Sequence, residues 1–385
     1  MKTLFVLAAA LCTASYATAC YAAFDCKNGA VTIGIARAKT GGFAFFDVAG
    51  ARGLEIGADE INAAGGVGGC PIKLIQGDTQ SNPAMTGQVT DELIKQGAQL
   101  IIAPSDFDAG VGASVAAQAA GVFSMSPEAS SVAWTQAVQP NFAIGGMTEE
   151  ATGRAIAGFS NKKGWEGAYI VTNTAYSFFT EQEKAFRTVY KGRVVGQDAV
   201  TEDTSDYSAV VSKIRSAGDQ VKVIFLNDYF PHVGTFLKQL RAAGVKAAVI
   251  GNGTFSSTTL PEVVGAAGLQ DVYYVASAYY EGKDIDPALK KMIDAYQAKF
   301  GNFPENTNAI VAYYAAYILA DALNAAGSTD ANAVTKALLG QKDMKLPGAI
   351  YYGWNDRFPS VSATVVGFDA SGAFKEVELL DPRLF

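Results

Sequence analysis

The sequence predicts an α/β protein built from two similar lobes, each with a parallel β-sheet. Three observations support this fold class. Short apolar runs alternate with amphipathic stretches along most of the 385 residues, and short buried strands that alternate with helices form βαβ units. One such series ends near residue 125 and a second begins near residue 168. Glycine ends several amphipathic stretches, as expected at helix C-termini, at Gly97, Gly121 and Gly244.

The first series predicts four strands with helices between them. In chain order these elements are the strand Val31–Ile35, a helix near Val48–Ala64, the strand Ile72–Gln76, the helix Pro83–Lys95, the strand Leu100–Ala103, the helix Gly112–Ala120 and the strand Val122–Met125. The connections between such parallel strands are expected to be right-handed.

The second series repeats the same rhythm. Its predicted elements are the strand Ala168–Thr172, the helix Ser177–Tyr190, the strand Arg193–Gly196, the helix Tyr207–Ala217, the strand Val221–Leu226, the helix Pro231–Ala243 and the strand Ala247–Ile250. No proline- or serine-rich linker separates the two series, so we expect several short crossings between the lobes.

Beyond Tyr279 the alternation changes to a run of helices with few strands. The predicted elements there are the helices Pro287–Phe300, Ala309–Ala326 and Asn332–Leu339, followed by late strands at Ile350–Tyr352 and Val361–Phe368. Turn-forming residues at 354–356 separate these two strands.

Composition excludes several classes of function. The formal net charge is −7 and there is no basic stripe, which argues against nucleic acid and anionic membrane surfaces as partners. His232 is the single histidine, and we expect it to be a surface residue at a helix start. A hydrolase would need a nucleophile, a base and an orienting acid. With one histidine and no Gly-x-Ser-x-Gly motif, the sequence predicts neither an enzyme nor a metal site.

The N-terminus predicts an export signal over residues 1–22. A short basic start precedes an apolar run that is too short to span a bilayer. Small residues mark two possible cleavage sites, after Ala19 and after Ala22, and we favour the second. A lipoprotein would carry its lipid on Cys20, but Ala17 stands where a larger aliphatic residue is usual, which makes that alternative less favoured.

Two cysteines remain after removal of this segment. Cys26 and Cys70 each precede a predicted strand by a few residues, so both would lie at the same end of neighbouring parallel strands. A disulfide can bridge that separation, and paired cysteines are typical of exported proteins. The alternative is two unpaired thiols. A metal site is not expected, because the sequence offers no partner ligands for one.

Candidate binding residues come from loops that follow the predicted strands, because ligands of parallel α/β sheets bind beyond the carboxyl ends of the strands. These loops combine aromatic rings with a few hydroxyl, amide and carboxylate groups, which is typical of a small-molecule cleft. The alternatives are turn, helix-cap or core roles. The candidates are Thr40, Phe46, Asp106, Phe107, Asp108, Ser130, Tyr176, Tyr229, Asn252 and Phe255.

The order and spacing of several motifs resemble one protein family. They are Thr40-Gly41-Gly42, the stretch from Gly53-x-x-x-Gly57 to Gly65-Gly66, residues 77–83 (Gly-Asp-Thr-Gln-Ser-Asn-Pro), Asp206-Tyr207-Ser208 and residues 237–244. The chain resembles the periplasmic binding proteins of ABC importers in the leucine/isoleucine/valine-binding family, over nearly its whole length beyond residue 22. The resemblance implies two Rossmann-like lobes joined by a three-crossing hinge, the type I fold. Lobe 1 would comprise residues 23–146 and 279–360, and lobe 2 residues 147–278 and 361–385.

The resemblance also implies roles for the candidate residues. The aromatic position after the first strand falls on Phe46, and the second-lobe tyrosines fall on Tyr176 and Tyr229. Of the two hydroxyls that hold an amino-acid carboxylate, one falls on Ser130 and the other within Asp106-Phe107-Asp108. The acidic residue that grips an α-ammonium falls on Gly253.

Two of these positions depart from the family pattern. Phe107 has no hydroxyl and Gly253 has no charge, and an ammonium buried without its carboxylate partner is costly. We therefore expect an aromatic or apolar acid, an amide or a quaternary amine instead of a plain α-amino acid, unless another nearby acid substitutes.

The resemblance implies a substrate-binding component of an ABC transporter. The protein would capture a small solute in the periplasm, close around it and deliver it to a membrane permease. No cofactor is implied, and we expect a monomer, because a hinged clamp presents both lobes to the permease. The alternative is a sensory module that hands its solute to a separate receptor.

Overall fold

The structure is a computed structural model that describes Phe24, Cys26, residues 29–381 and Arg383. The predicted export signal, its cleavage site and Cys20 lie outside the described residues.

The first sheet is entirely parallel, with strand order β2-β1-β3-β4-β5. Val31 stands opposite Ile72 at the start of the β1–β2 pair. Its strands and the helices between them are β1 (Val31–Arg37), α1 (Ala44–Ala63), β2 (Ile72–Asp78), α2 (Pro83–Lys95), β3 (Leu100–Ile102), α3 (Phe107–Ala119), β4 (Phe123–Ser126), α4 (Val132–Ala137) and β5 (Phe142–Ile144).

The second sheet begins after a helix that follows β5. Its first strands pair in parallel in the order β10-β9-β8-β6-β7. The elements of this segment are α5 (Glu149–Lys162), β6 (Gly167–Asn173), α6 (Ser177–Val189), β7 (Arg193–Val200), α7 (Ser208–Ala217), β8 (Val223–Asn227), α8 (His232–Ala242), β9 (Ala248–Asn252), α9 (Leu260–Val264) and β10 (Val272–Ala276).

The C-terminal third contributes to both lobes. Its elements are α10 (Pro287–Phe300), α11 (Asn308–Ala326), α12 (Ala331–Gly340), β11 (Met344–Leu346), β12 (Ala349–Asn355), β13 (Phe358–Val361), β14 (Ala363–Phe368) and β15 (Phe374–Leu380). Strands β11 to β13 form a small antiparallel sheet, while β14 and β15 extend the second sheet antiparallel to β10. Helix α11 packs on α1 of the first lobe.

The chain passes between the two lobes three times, after β5, after β10 and after β13. The predicted fold class, two Rossmann-like lobes with parallel sheets and a three-crossing hinge, is confirmed. We propose the lobe boundaries that the sequence suggested, which lie within a few residues of these three crossings.

Several predicted elements have different bounds in the structure, and two of these differences have a clear physical reason. Helix α3 begins at Phe107 instead of Gly112, because the Asp106 carboxylate accepts a hydrogen bond from the Ala109 amide at 3.1 Å and caps the helix. The predicted strand Val361–Phe368 is two strands, since the third crossing at Ser362 takes the chain from one sheet to the other.

Cys26 and Cys70 form a disulfide, with their Cα atoms 5.6 Å apart. The predicted pairing is therefore confirmed. The bond ties the segment before β1 to the segment before β2, and these two strands are neighbours in the first sheet.

The Gly53-x-x-x-Gly57 motif lies where α1 packs against α11. A Cβ on Gly53 would stand 1.8 Å from the carbonyl oxygen of Ala309, and one on Gly57 would stand 2.6 Å from the Ala316 Cβ. Glycine is therefore required for the helices to approach this closely. Helix α11 is long and apolar because it is a core helix, with 72% of its most apolar window buried.

Candidate functional site

A cavity of about 460 Å³ lies between the two lobes, at the carboxyl ends of both sheets. This volume is within the range of small-molecule pockets. Its lining comes from four sources. They are the loops after β1, β3 and β4 of lobe 1, the loops after β6, β7, β8 and β9 of lobe 2, residues at the first two crossings, and residues 306–311 at the start of α11.

The wall of lobe 1 is aromatic. Phe43, Phe45 and Phe46 reach the cleft from the start of α1, and Phe107 reaches it from the start of α3. The buried Asp47 joins these two segments, because its carboxylate accepts hydrogen bonds from the backbone amides of residues 38 and 105, at 2.9 and 2.8 Å. The lobe 1 wall is thus held in place before any ligand arrives.

The wall of lobe 2 is a cluster of stacked rings. Tyr229 lies parallel to Phe179, with ring centroids 6.2 Å apart, and meets Tyr176 edge-on at 6.3 Å. Tyr229 also stacks on His232, with ring centroids 4.7 Å apart. His232, predicted as a surface residue, is therefore largely covered, with 18% of its side chain exposed. These rings present flat apolar surface with hydroxyl groups to the cleft.

A buried carboxylate organises the loops beneath this wall. Asp228 accepts hydrogen bonds from the Asn173 amide at 3.0 Å, the Tyr207 hydroxyl at 2.9 Å and the Tyr229 backbone amide at 2.9 Å. Its backbone carbonyl accepts from the Thr254 hydroxyl at 2.7 Å. The ends of β6, β8 and β9 are thereby fixed to one another, which holds Tyr229 in one orientation.

The first crossing brings a carboxylic acid into the cleft. Glu149, at the start of α5, is 7% exposed and accepts a hydrogen bond from the Ser130 hydroxyl at 3.1 Å. Burial raises the pKa of Glu149 to about 7, and the nearby negative charges of Glu181 and Asp106 add to the effect. The group is therefore close to half-protonated at neutral pH.

Two further carboxylates face the cleft, one from each lobe. Burial raises the pKa of Asp106, at the N-terminus of α3. Glu202 follows β7 and lies next to the hydroxyls of Tyr176 and Tyr229. Burial, together with this neighbouring carboxylate, raises the pKa of Tyr176 to about 12.

A fourth acidic residue, Glu128, is neutralised by its own partner. Both its carboxylate oxygens accept from the Arg37 guanidinium, and the Nη1–Oε1 distance is 2.8 Å. The two side chains are 4% and 2% exposed. This ion pair supports the loop after β4, which carries Ser130.

Seven of the ten predicted binding residues line the cleft, and their role in binding remains a prediction. They are Phe46, Asp106, Phe107, Ser130, Tyr176, Tyr229 and Asn252. Asn252 is at the floor, where its amide donates to Asn227 at 2.8 Å and its carbonyl accepts from the Thr254 amide at 2.9 Å.

The other three lie outside the cleft lining that the described residues form. The Thr40 hydroxyl donates to Asp78 at 3.0 Å and holds the loop after β1. Asp108 is exposed in the first turn of α3, because the helix starts earlier than predicted and turns this side chain away. Phe255 is fully buried in the lobe 2 core beside Tyr274.

Glu149 and Glu202 line the cleft but are not among the residues predicted from the sequence. The sequence position of Glu202 was enough to predict it as a cleft residue, because it follows the carboxyl end of a strand, as the other candidates do. The sequence position of Glu149 was not enough, since it belongs to the crossing between the lobes and only the tertiary structure brings it to the cleft. Within residues 29–381, no three His, Cys, Asp or Glu side chains are grouped to hold a metal ion.

The comparison with known families agrees with this geometry. A model of the family described as periplasmic binding protein matches residues 30–373. The chain belongs to this family, which confirms the resemblance found in the sequence.

Similar proteins are found among both sequences and solved structures. The chain is 27% identical over 351 residues to "Leu/Ile/Val-binding protein homolog 1" of Brucella abortus, covering 84% of this chain and 90% of that one. It is similar in structure to the substrate-binding protein LivJ of Streptococcus pneumoniae in complex with isoleucine (TM-score 0.75, 24% identity, 90% and 99% covered). It is also similar to a solute-binding protein of Rhodopseudomonas palustris in complex with 3,4-dihydroxybenzoic acid (TM-score 0.76, 19% identity, 92% and 98% covered).

Proposed function

We propose that this protein is the substrate-binding component of an ABC importer. In this role it is exported to the periplasm, captures a small solute between its lobes as a monomer, closes and delivers the solute to a membrane permease. The observation that carries the proposal is the cleft, which is lined from both lobes and the hinge. A solute there contacts both lobes only when they are closed, so its binding stabilises the closed form.

The lining supports a solute with an apolar or aromatic body. Phenylalanine and tyrosine rings face the cleft from both lobes, and polar groups lie among them on both lobes and at the hinge. Similar proteins are described in complex with isoleucine and with 3,4-dihydroxybenzoic acid, which supports a small organic solute. We keep the expectation that a plain α-amino acid is not the ligand, because Gly253 carries no charge. Asp106 and Glu149 could bind an α-ammonium group in place of an acidic residue at position 253, so the test includes amino acids.

The first test is a thermal-shift screen of the purified protein. The panel contains amino acids, aromatic acids, amides, polyols and quaternary amines. A ligand at a hundredfold excess over its dissociation constant should stabilise the protein by about 2.7 kcal/mol. Small-angle X-ray scattering with the same ligand should then show a more compact particle. If no compound in the panel stabilises the protein, the proposal of solute binding is rejected.

Variants locate the binding event. Phe46→Ala in lobe 1 and Tyr229→Ala in lobe 2 should each weaken binding of the same ligand, because each removes a ring from the cleft lining. Tyr352→Ala serves as the control, since Tyr352 lies on β12 and is outside that lining. Equal effects of the Tyr229 and Tyr352 substitutions would argue against the cleft as the binding site.

A further inference from the structure

The charge of the interlobe cleft points to the class of solute. Asp106 faces it from lobe 1, Glu149 from the first crossing and Glu202 from lobe 2, and no lysine, arginine or histidine lines it within the described part of the chain. We infer that the solute carried in this cleft is an organic cation, an ammonium or amidinium group on an apolar or aromatic body. This inference rests on the proposed function and specifies its ligand.

None of these three carboxylates is neutralised by a neighbouring side chain. Glu128, the fourth acid in the lining, has its charge balanced by the buried Arg37. Asp106, Glu149 and Glu202 make no ion pair within 4 Å with any residue of the described ranges. Uncompensated like charges around a partly enclosed cavity favour a ligand of opposite charge.

The arrangement suits an organic cation better than a metal ion. The carboxylates come from three separate elements, and no three acidic, histidine or cysteine side chains in the described residues are grouped closely enough to hold a metal. Aromatic rings lie beside them, with Tyr176 and Tyr229 next to Glu202 and Phe107 next in sequence to Asp106. A diffuse organic cation gains from ring faces as well as from carboxylates.

Neither an anion nor a zwitterion balances this charge. A carboxylate ligand would meet the carboxyl groups of Asp106, Glu202 and the partly protonated Glu149. Hydroxyls and amides would hold it, but no lysine, arginine or histidine of the described residues lines the cleft. The ammonium of a zwitterion would offset one acid, while its own carboxylate would add a negative charge nearby. Of these three kinds of ligand, one with a net positive charge leaves the least uncompensated charge in the cleft.

The positions of the acidic residues also make closure of the cleft depend on the charge of its ligand. Because Asp106 and Glu202 belong to different lobes, closing an empty cleft brings like charges together, which disfavours the closed form. A cation between them is attracted to both carboxylates. It therefore binds the closed form more tightly than the open form and stabilises closure.

The test uses four probes that share a phenylethyl body: 2-phenylethylamine, 2-phenylethanol, 3-phenylpropionate and phenylalanine. Isothermal titration calorimetry with the full mature protein, at millimolar probe concentration, compares a cation, a neutral molecule, an anion and a zwitterion. We expect the amine to bind at least on the order of tenfold more tightly than any of the other three.

Charge variants then distinguish electrostatics from structure. Glu149→Gln and Glu202→Gln should each weaken amine binding on the order of tenfold and reduce the preference for the amine over phenylethanol. Glu150→Gln is the matched control, because Glu150 neighbours Glu149 on the same helix but its side chain is 70% exposed and outside the cleft lining.

The outcomes separate this inference from the proposed function. Tighter binding of the anion or the zwitterion, equal binding of all four probes, or failure of the amine to bind overturns the assignment of a cationic solute. A positive result in the wider thermal-shift panel would still support solute binding in each of those cases.

Discussion

Replacing Glu149 with glutamine should stabilise the protein in a way that depends on pH. The pKa of Glu149 is raised from 4.5 to about 7 in the folded protein, mainly by burial. The folded state therefore binds more protons than the unfolded state between these values, and the contribution of Glu149 to stability is lost as the pH rises through that window. Above about pH 7 the folded protein carries a buried charge that the unfolded chain would place in water.

The magnitude follows from the two pKa values. Their difference corresponds to about 3 kcal/mol, since one pKa unit equals about 1.4 kcal/mol. Glutamine stays neutral at every pH, keeps the shape of the side chain and can still accept the Ser130 hydrogen bond. We expect Glu149→Gln to differ from the parent by less than about 1 kcal/mol at about pH 5 and to be about 3 kcal/mol more stable at about pH 8.

Urea denaturation followed by circular dichroism, repeated across this pH range, measures the effect. Glu150→Gln, on the same helix with a 70% exposed side chain, is the control and should show no such trend. A constant stability difference between Glu149→Gln and the parent at all pH values would refute the reasoning, as would the same trend in the Glu150 variant.

Three further predictions concern stability. Replacing Cys26 and Cys70 by serine should cost about 4 kcal/mol of unfolding free energy, because the bond closes a loop with a sequence separation of 44. Arg37→Met should cost about 3–5 kcal/mol, because it leaves Glu128 buried without its partner. Gly53→Ala should cost about 1–3 kcal/mol, since its methyl group would overlap a carbonyl oxygen of α11. Chemical denaturation measures all three.

Each of these predictions has its own control. The parent treated with reductant should match the cysteine variant. Adding Glu128→Leu to Arg37→Met should recover most of the lost stability, and no recovery would contradict a pairwise cause. Gly340→Ala, at the end of α12 with open space around it, should change stability little, so an equal loss there would argue against the proposed steric clash.

The sequence by itself determined the class of fold and much of the cleft. Periodic apolar runs mark strands and helices because backbone geometry sets their spacing, and this was enough to predict two parallel α/β lobes. The rule that ligands lie beyond the carboxyl ends of strands then selected residues that do line the cleft, such as Phe46, Tyr176 and Tyr229. The disulfide followed from the position of two cysteines before neighbouring strands.

The tertiary structure decided which side chains of those loops turn inward. Phe255 packs into the core. Asp108 points outward, since successive residues of a helix point about 100° apart and the start of α3 at Phe107 fixes which of them face the cleft. Glu149 reaches the cleft only because the crossing between the lobes places it there. The charge of the cleft is the sum of groups that are distant in sequence, and their burial and pairing depend on long-range contacts that no local pattern encodes.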